Sequence, residues 1–161
     1  CRAMPGIFPL SISDEPQEAI PPVIEGTVIL AAISMPPRGG AEYAPIIQTE
    51  PVDRIANGVF VYRGRFEIPL AAALSHVERA NELIFSKHFE EAVADGQKAV
   101  ELAPEDARTH FALGLAFARS GRKDDARAEF QKTIEIAKTN PGIFRRFEVL
   151  AQQETKLLDG K

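Results

Sequence analysis

The chain holds few residues able to do chemistry, and their spacing decides what they can do. Three histidines, His76, His88 and His110, are the natural candidates for metal ligands or general bases. No carboxylate stands at a consistent metal-site spacing from them, and His76 and His110 hold equivalent positions in two separate stretches of chain, so they read as packed or surface histidines. Glu90-Glu91 and Asp124-Asp125 are pairs in sequence only. Neighbours on a helix point about 100° apart, so these are solvated first-turn acids favoured by the helix dipole rather than an acid/base couple. Arg38-Gly39-Gly40 has the composition of an anion nest, although a loop turn is the commoner use of two glycines. Cys1 is the single cysteine, which excludes an internal disulfide and a cysteine-based zinc site. There is no nucleophile elbow, phosphate loop or Cys/His pair. No catalytic residue, metal site or cofactor is expected, and the chain reads as non-enzymatic.

The elements that carry these residues fall into two kinds of chain. Of 161 residues, 45% are hydrophobic and 26% charged, the balance of a globular protein. The net charge of −4 lacks the basic footprint of a nucleic-acid binder. Ten of the 12 prolines lie in residues 1–72, whereas residues 73–161 hold 14 of the 19 Lys/Arg and 15 of the 23 Asp/Glu. The longest charge-free run, Gly26 to Pro37, is 12 residues, against the roughly 20 that a membrane-spanning helix needs. A first residue of Cys1 rather than Met suits a processed or truncated start. A mature bacterial lipoprotein also begins with cysteine, the alternative being an incidental thiol at a cut site.

From His76 onward, residues 34 apart agree in type. His76 pairs with His110, Ala80 with Gly114, Leu83 with Phe117 and Ala92 with Ala126, and the block Gln97–Leu102 recurs as Gln131–Ile136. Each unit reads as two helices, near 70–86 and 89–102, then near 105–119 and 123–138, within residues 70–140. Leu74, Val77, Ala80, Leu83 and Ile84 form one apolar stripe at helical spacing. Ser86-Lys87-His88 and Gly121 mark the turns, and Pro104 ends the second helix. A further helix over 141–158, with Asn140-Pro141 as cap and first residue, carries Ile143, Phe144, Phe147, Leu150 and Leu157 on its apolar side and reads as a terminal cap. Gly96 is unusual inside a helix, where glycine costs about 1 kcal/mol relative to alanine, and the Pro-rich part of the chain is expected to cover it.

These residues resemble the tetratricopeptide repeat family, whose unit of about 34 residues reads Trp-x2-Leu-Gly-x2-Tyr, then Ala-x3-Phe-x2-Ala, then Pro. The second unit matches through Leu113, Gly114, Phe117, Ala126 and Phe130 but has His110 for Trp, Thr133 for the later Ala and Lys138 for Pro. The first matches through Ala92, Ala99 and Pro104, while His76, Arg79, Ala80 and Gly96 depart. The resemblance implies a protein-interaction scaffold, in which the first helix of each unit lines a concave groove. Val77, Asn81, Ile84, Arg108, Phe111 and Leu115 would then face a protein or peptide partner. Asn81 and Arg108 could fix a peptide backbone or carboxylate, although the basic residues of the family's chaperone-tail clamp are mostly missing. The alternative is a groove filled internally by the last helix or by the N-terminal part.

Residues 1–69 read as strands near 7–13, 23–35 and 59–68. Phe8, Leu10 and Ile12 alternate with polar residues and proline, which suits an edge strand. Val28–Ile33 is a continuous apolar run, as in a strand covered on both faces. Phe60, Tyr62, Phe66 and Ile68 alternate with Arg63, Arg65 and Glu67. The stretch from Pro36 to Asn57 is long for a connection, and suits a short helix or ordered flap around Tyr43–Ile47 packed on the sheet, a ligand-closing loop, or disorder. The expected fold is α+β: a small N-terminal β segment packed on a helical-hairpin array with its capping helix.

A second resemblance rests on Glu25–Ser34, Glu42–Pro45, Pro51–Asp53 and Val59–Phe66 directly before the helices. This series is similar to the extracytoplasmic tail of bacterial membrane glycosyltransferases of the protein O-mannosyltransferase kind. It implies a soluble tail of a membrane-anchored parent, assisting acceptor recognition or assembly, with no catalytic residue carried over. The expected location is then periplasmic or extracytoplasmic, as for a lipoprotein, and otherwise cytoplasmic. Either way the chain reads as the C-terminal part of a larger protein.

Overall fold

The structure, a computed structural model, describes residues 18–31, 41–55 and 58–160. It divides into two compact units, Cys1–Ala72 and Ala73–Lys161. The first holds a three-stranded antiparallel sheet and the second helical hairpins, so the chain is α+β.

In the first unit, β1 (Val23–Ala31) and β3 (Val59–Glu67) pair along their whole length, and β2 (Asp53–Ile55) joins the other edge of β3. Alternation fixes the register. Val28 opposite Tyr62 and Leu30 opposite Phe60 point to the core, while Glu25 opposite Arg65 and Thr27 opposite Arg63 point away. A slip of one residue would expose the whole inward set. Between β1 and β2, a 3-10 turn (Ala41–Tyr43) leads into the one-turn α1 (Ala44–Ile47). Ile46 on α1 is fully buried against the sheet's core with Val28, Leu30, Tyr62 and Ile68, so this part of the long connection is an ordered flap.

Two expectations change here. The apolar run of β1 is not covered on both faces: Val28 and Leu30 are buried, but Ile29 between them is 44% exposed, as an antiparallel sheet permits on its outer face. The third strand among the described residues is β2, which its three exposed residues hide from a periodicity search. The strand expected near 7–13 lies outside the described residues, as do residues 32–35.

The second unit is built from α2 (Pro69–Phe85), whose first turn belongs to the first unit, α3 (Phe89–Leu102), α4 (Ala107–Arg119), α5 (Lys123–Thr139) and α6 (Pro141–Leu158). The α2–α3 and α4–α5 turns are built alike. His88 N–H donates to the Leu83 carbonyl at 2.8 Å, and one repeat later Arg122 N–H donates to the Phe117 carbonyl at 2.9 Å. This is the longer of the two bonds of a Schellman turn, which requires a left-handed residue just past the helix. Gly121 supplies it at φ 84°, and Lys87 supplies it at φ 67° despite its side chain. The start of α4 is fixed by Asp106, whose carboxylate accepts from the Arg108 N–H at 2.9 Å. Asn140 precedes Pro141 at the start of α6, but its side chain makes no capping bond.

Leu83, Val93, Leu113, Phe117 and Phe130 centre the core of this unit. Two glycines admit it. A Cβ on Gly114 would lie 2.7 Å from Cε1 of the buried Phe130, so the glycine makes room for the ring. A Cβ on Gly96 would lie 3.0 Å from the Cα of Leu113. The space left by Gly96 is therefore filled by the backbone and side chain of α4 in the next repeat, which corrects the expectation that the Pro-rich segment covers it.

Candidate interaction surface

The six candidate groove residues lie on α2 and α4. Ile84, Phe111 and Leu115 are half-buried and pack against one core cluster, which brings the two helices' apolar positions together. Val77 is half-buried on α2, and Asn81, one turn further on, is exposed. Two of the six already have internal partners. Arg108 forms a forked ion pair with Asp106, Nε to Oδ1 at 2.9 Å and Nη2 to Oδ2 at 2.6 Å, and its guanidinium carbon lies 6.0 Å from the Phe144 ring centroid. Phe111 stands between two rings, with centroids 5.8 Å from Phe130 on α5 and 5.7 Å from Phe147 on α6. Such aromatic pairs contribute about 0.5–1.5 kcal/mol each beyond their buried area. The last helix thus takes up part of the face that α4 offers, leaving Val77, Asn81, Ile84 and Leu115 as its less committed positions.

The sequence expectation missed a polar pair that is built twice. His76 Nδ1 lies 2.7 Å from Asp95 Oδ1, and His110 Nδ1 lies 2.7 Å from Glu129 Oε2. Each pair joins the first helix of a hairpin to the second. A search at helical or metal-ligand spacings passes over them, although the repeat relates His76 to His110 and Asp95 to Glu129 by one and the same shift. The Asp95 carboxylate also accepts from Arg79 Nε at 3.1 Å. His110 Nε2 lies 2.8 Å from the Pro104 carbonyl. Both nitrogens of His110 therefore face acceptors, and only the doubly protonated ring satisfies both. Burial by itself lowers the pKa of His110. The hydrogen bonds to Glu129 and Pro104 and the Glu129 charge outweigh burial and the nearby Lys132, and raise it above its ordinary value.

A hollow of about 530 Å³ between α5 and α6 is lined by Arg127, Gln131, Ile134, Gln152 and Lys156 among others, and Arg127 is paired with Asp124 and Asp159. Among the described residues no group of three or more His, Cys, Asp or Glu is placed to hold a metal ion. No helix among them is long and apolar enough to cross a membrane.

Helical hairpins that recur at a fixed period, stacked through small residues and closed by turns of one kind, define a helical-repeat module of the protein-interaction class. The particular family that these repeats match is the tetratricopeptide repeat, whose family model covers residues 77–141. Such repeats are generally non-catalytic. The nuclear autoantigenic sperm proteins of Bos taurus and Homo sapiens are each 29% identical over 107 residues, covering 62% of this chain and 13% of theirs. That of Oryctolagus cuniculus is 29% identical over the same length and covered to 15%. The chain thus spans about one-seventh of the length of these curated relatives. No solved structure matches the chain significantly.

Proposed function

We propose that the helical unit is a non-enzymatic scaffold that takes a peptide segment of a partner protein along the α2–α4 face. The observation that carries this reading is that Ile84 of α2 and Leu115 of α4 are half-buried on a shared core, with the half-buried Val77 and the exposed Asn81 amide on the turns of α2 that precede Ile84. Half-buried aliphatic side chains offer contact area at little cost in ordering, and an amide can both donate to and accept from a peptide backbone. Arg108 and Phe111 shape one end of the face rather than reaching for the ligand, since Asp106 and Phe147 hold them.

The test is selection of binding peptides from a random library displayed against the whole chain, followed by amide NMR mapping of the selected peptide. Shifts centred on Val77, Asn81, Ile84 and Leu115, with binding lost in Asn81→Ala and Leu115→Glu, support the reading. Failure to select any binder, or shifts clustered elsewhere, overturns it.

A further inference from the structure

We infer that α6 is a self-association surface, through which two copies of this chain pair by antiparallel contact of their α6 helices. The repeat itself draws attention to this helix. Shifted by one repeat, Thr109 and Ala116 of α4 become Ile143 and Leu150 of α6. Thr109 and Ala116 are fully buried, but Ile143 is 67% exposed and Leu150 half-buried. Leu157, two turns beyond Leu150, is 69% exposed.

Ile143, Leu150 and Leu157 recur at every seventh position, two helical turns less about 20°, and so form one row along the helix. A helix that ended the array with its open side turned to water would place polar residues there. Arg146 and Glu154 flank the row, one turn to either side of Leu150. Neither pairs with an opposite charge among the described residues.

The pattern is complementary to itself. About a two-fold axis at Leu150, an antiparallel second helix brings Ile143 against Leu157 of the partner subunit and Arg146 against Glu154 of the partner subunit. Each of these contacts then occurs twice, as a closed two-fold interface requires. A parallel pairing in register would set Arg146 against its own copy and Glu154 against its own, so charge selects the antiparallel arrangement. The row is about 21 Å long at about 1.5 Å per residue. A single row of three apolar side chains over that length buries less than the roughly 1,200–2,000 Å² of stable interfaces, so the pairing is reversible and depends on concentration.

The test is sedimentation equilibrium of the whole chain from low micromolar to about 1 mM. The weight-average mass of the unaltered chain is expected to climb from 17.6 kDa toward twice that value. Ile143→Glu with Leu157→Glu abolishes the rise. Both side chains are mostly exposed, and unchanged thermal melts at low concentration check that the fold is intact. Arg146→Glu and Glu154→Arg each weaken association by about tenfold or more, since each sets like charges together twice. The double reversal restores it, as does mixing the two single variants. A chain that stays monomeric throughout, or single reversals that associate like the unaltered chain, overturns the inference.

Discussion

His110 Nδ1 stands 2.7 Å from Glu129 Oε2, and one repeat earlier His76 Nδ1 stands 2.7 Å from Asp95 Oδ1. Each pair ties the first helix of a hairpin to the second at a position where the tetratricopeptide pattern has an aromatic residue. The two copies differ in what surrounds them. Arg79 shares the first carboxylate, while the Pro104 carbonyl takes the second nitrogen of the second histidine.

The second pair makes stability depend on pH. The pKa of His110 is raised in the folded chain, so its contribution is fully present below the unfolded value of about 6.5 and is lost as pH rises through the folded value. Urea unfolding at a series of pH values is expected to show the midpoint falling across that window, and His110→Gln to remove most of the fall. An equal slope in the variant would assign the effect to other groups.

Lys87 adopts a left-handed backbone that its repeat counterpart Gly121 adopts without a side chain. That conformation costs a non-glycine residue about 1–2 kcal/mol, of which the extra unfolded-state freedom of glycine offsets roughly 0.5–1 kcal/mol. Lys87→Gly is expected to stabilise the chain by about 0.5–1 kcal/mol, and Gly121→Ala to destabilise it by about 1 kcal/mol. Thermal denaturation of the two variants checks the opposite signs.

The glycines at helix crossings behave differently. Alanine at Gly114 would press on the buried Phe130 ring, and overpacking of this kind costs about 1–3 kcal/mol, more than the gain of about 1 kcal/mol from helix propensity. Gly114→Ala is expected to lower the melting temperature, and Phe130→Leu in the same chain to recover part of the loss. Gly96→Ala meets the Leu113 backbone at a longer 3.0 Å, so its loss is smaller and its melting temperature does not rise.

Asp106 serves both as the cap of α4 and as the counter-charge of Arg108. Removing a capping carboxylate costs about 1 kcal/mol, and the ion pair adds to this. Asp106→Ala is expected to cost about 1–2 kcal/mol in urea unfolding, and Asp106→Asn, which keeps a capping oxygen, less.

The repeat was legible because it is written twice. The match of Leu113, Gly114, Phe117, Ala126 and Phe130 to the tetratricopeptide pattern carried fold class and family, and alternation through Phe60, Tyr62 and Phe66 carried the inward face of β3. The short strand β2 was not legible, since three exposed residues have no periodicity that outweighs a loop. The candidate groove was read from the family pattern, and nothing local to Arg108 or Phe111 announced that Asp106 and Phe147 would hold them.

The sequence by itself determined the period, the turn positions and which helix faces are apolar, because these follow from local backbone preferences and from residue spacing along one helix. Tertiary structure alone decided what meets across helices. His110 reaches Glu129 because antiparallel packing folds the chain between them into a hairpin. Leu113 closes on Gly96 because the next repeat lies against it. Ile143 and Leu157 stay in water because no described helix covers that side of α6.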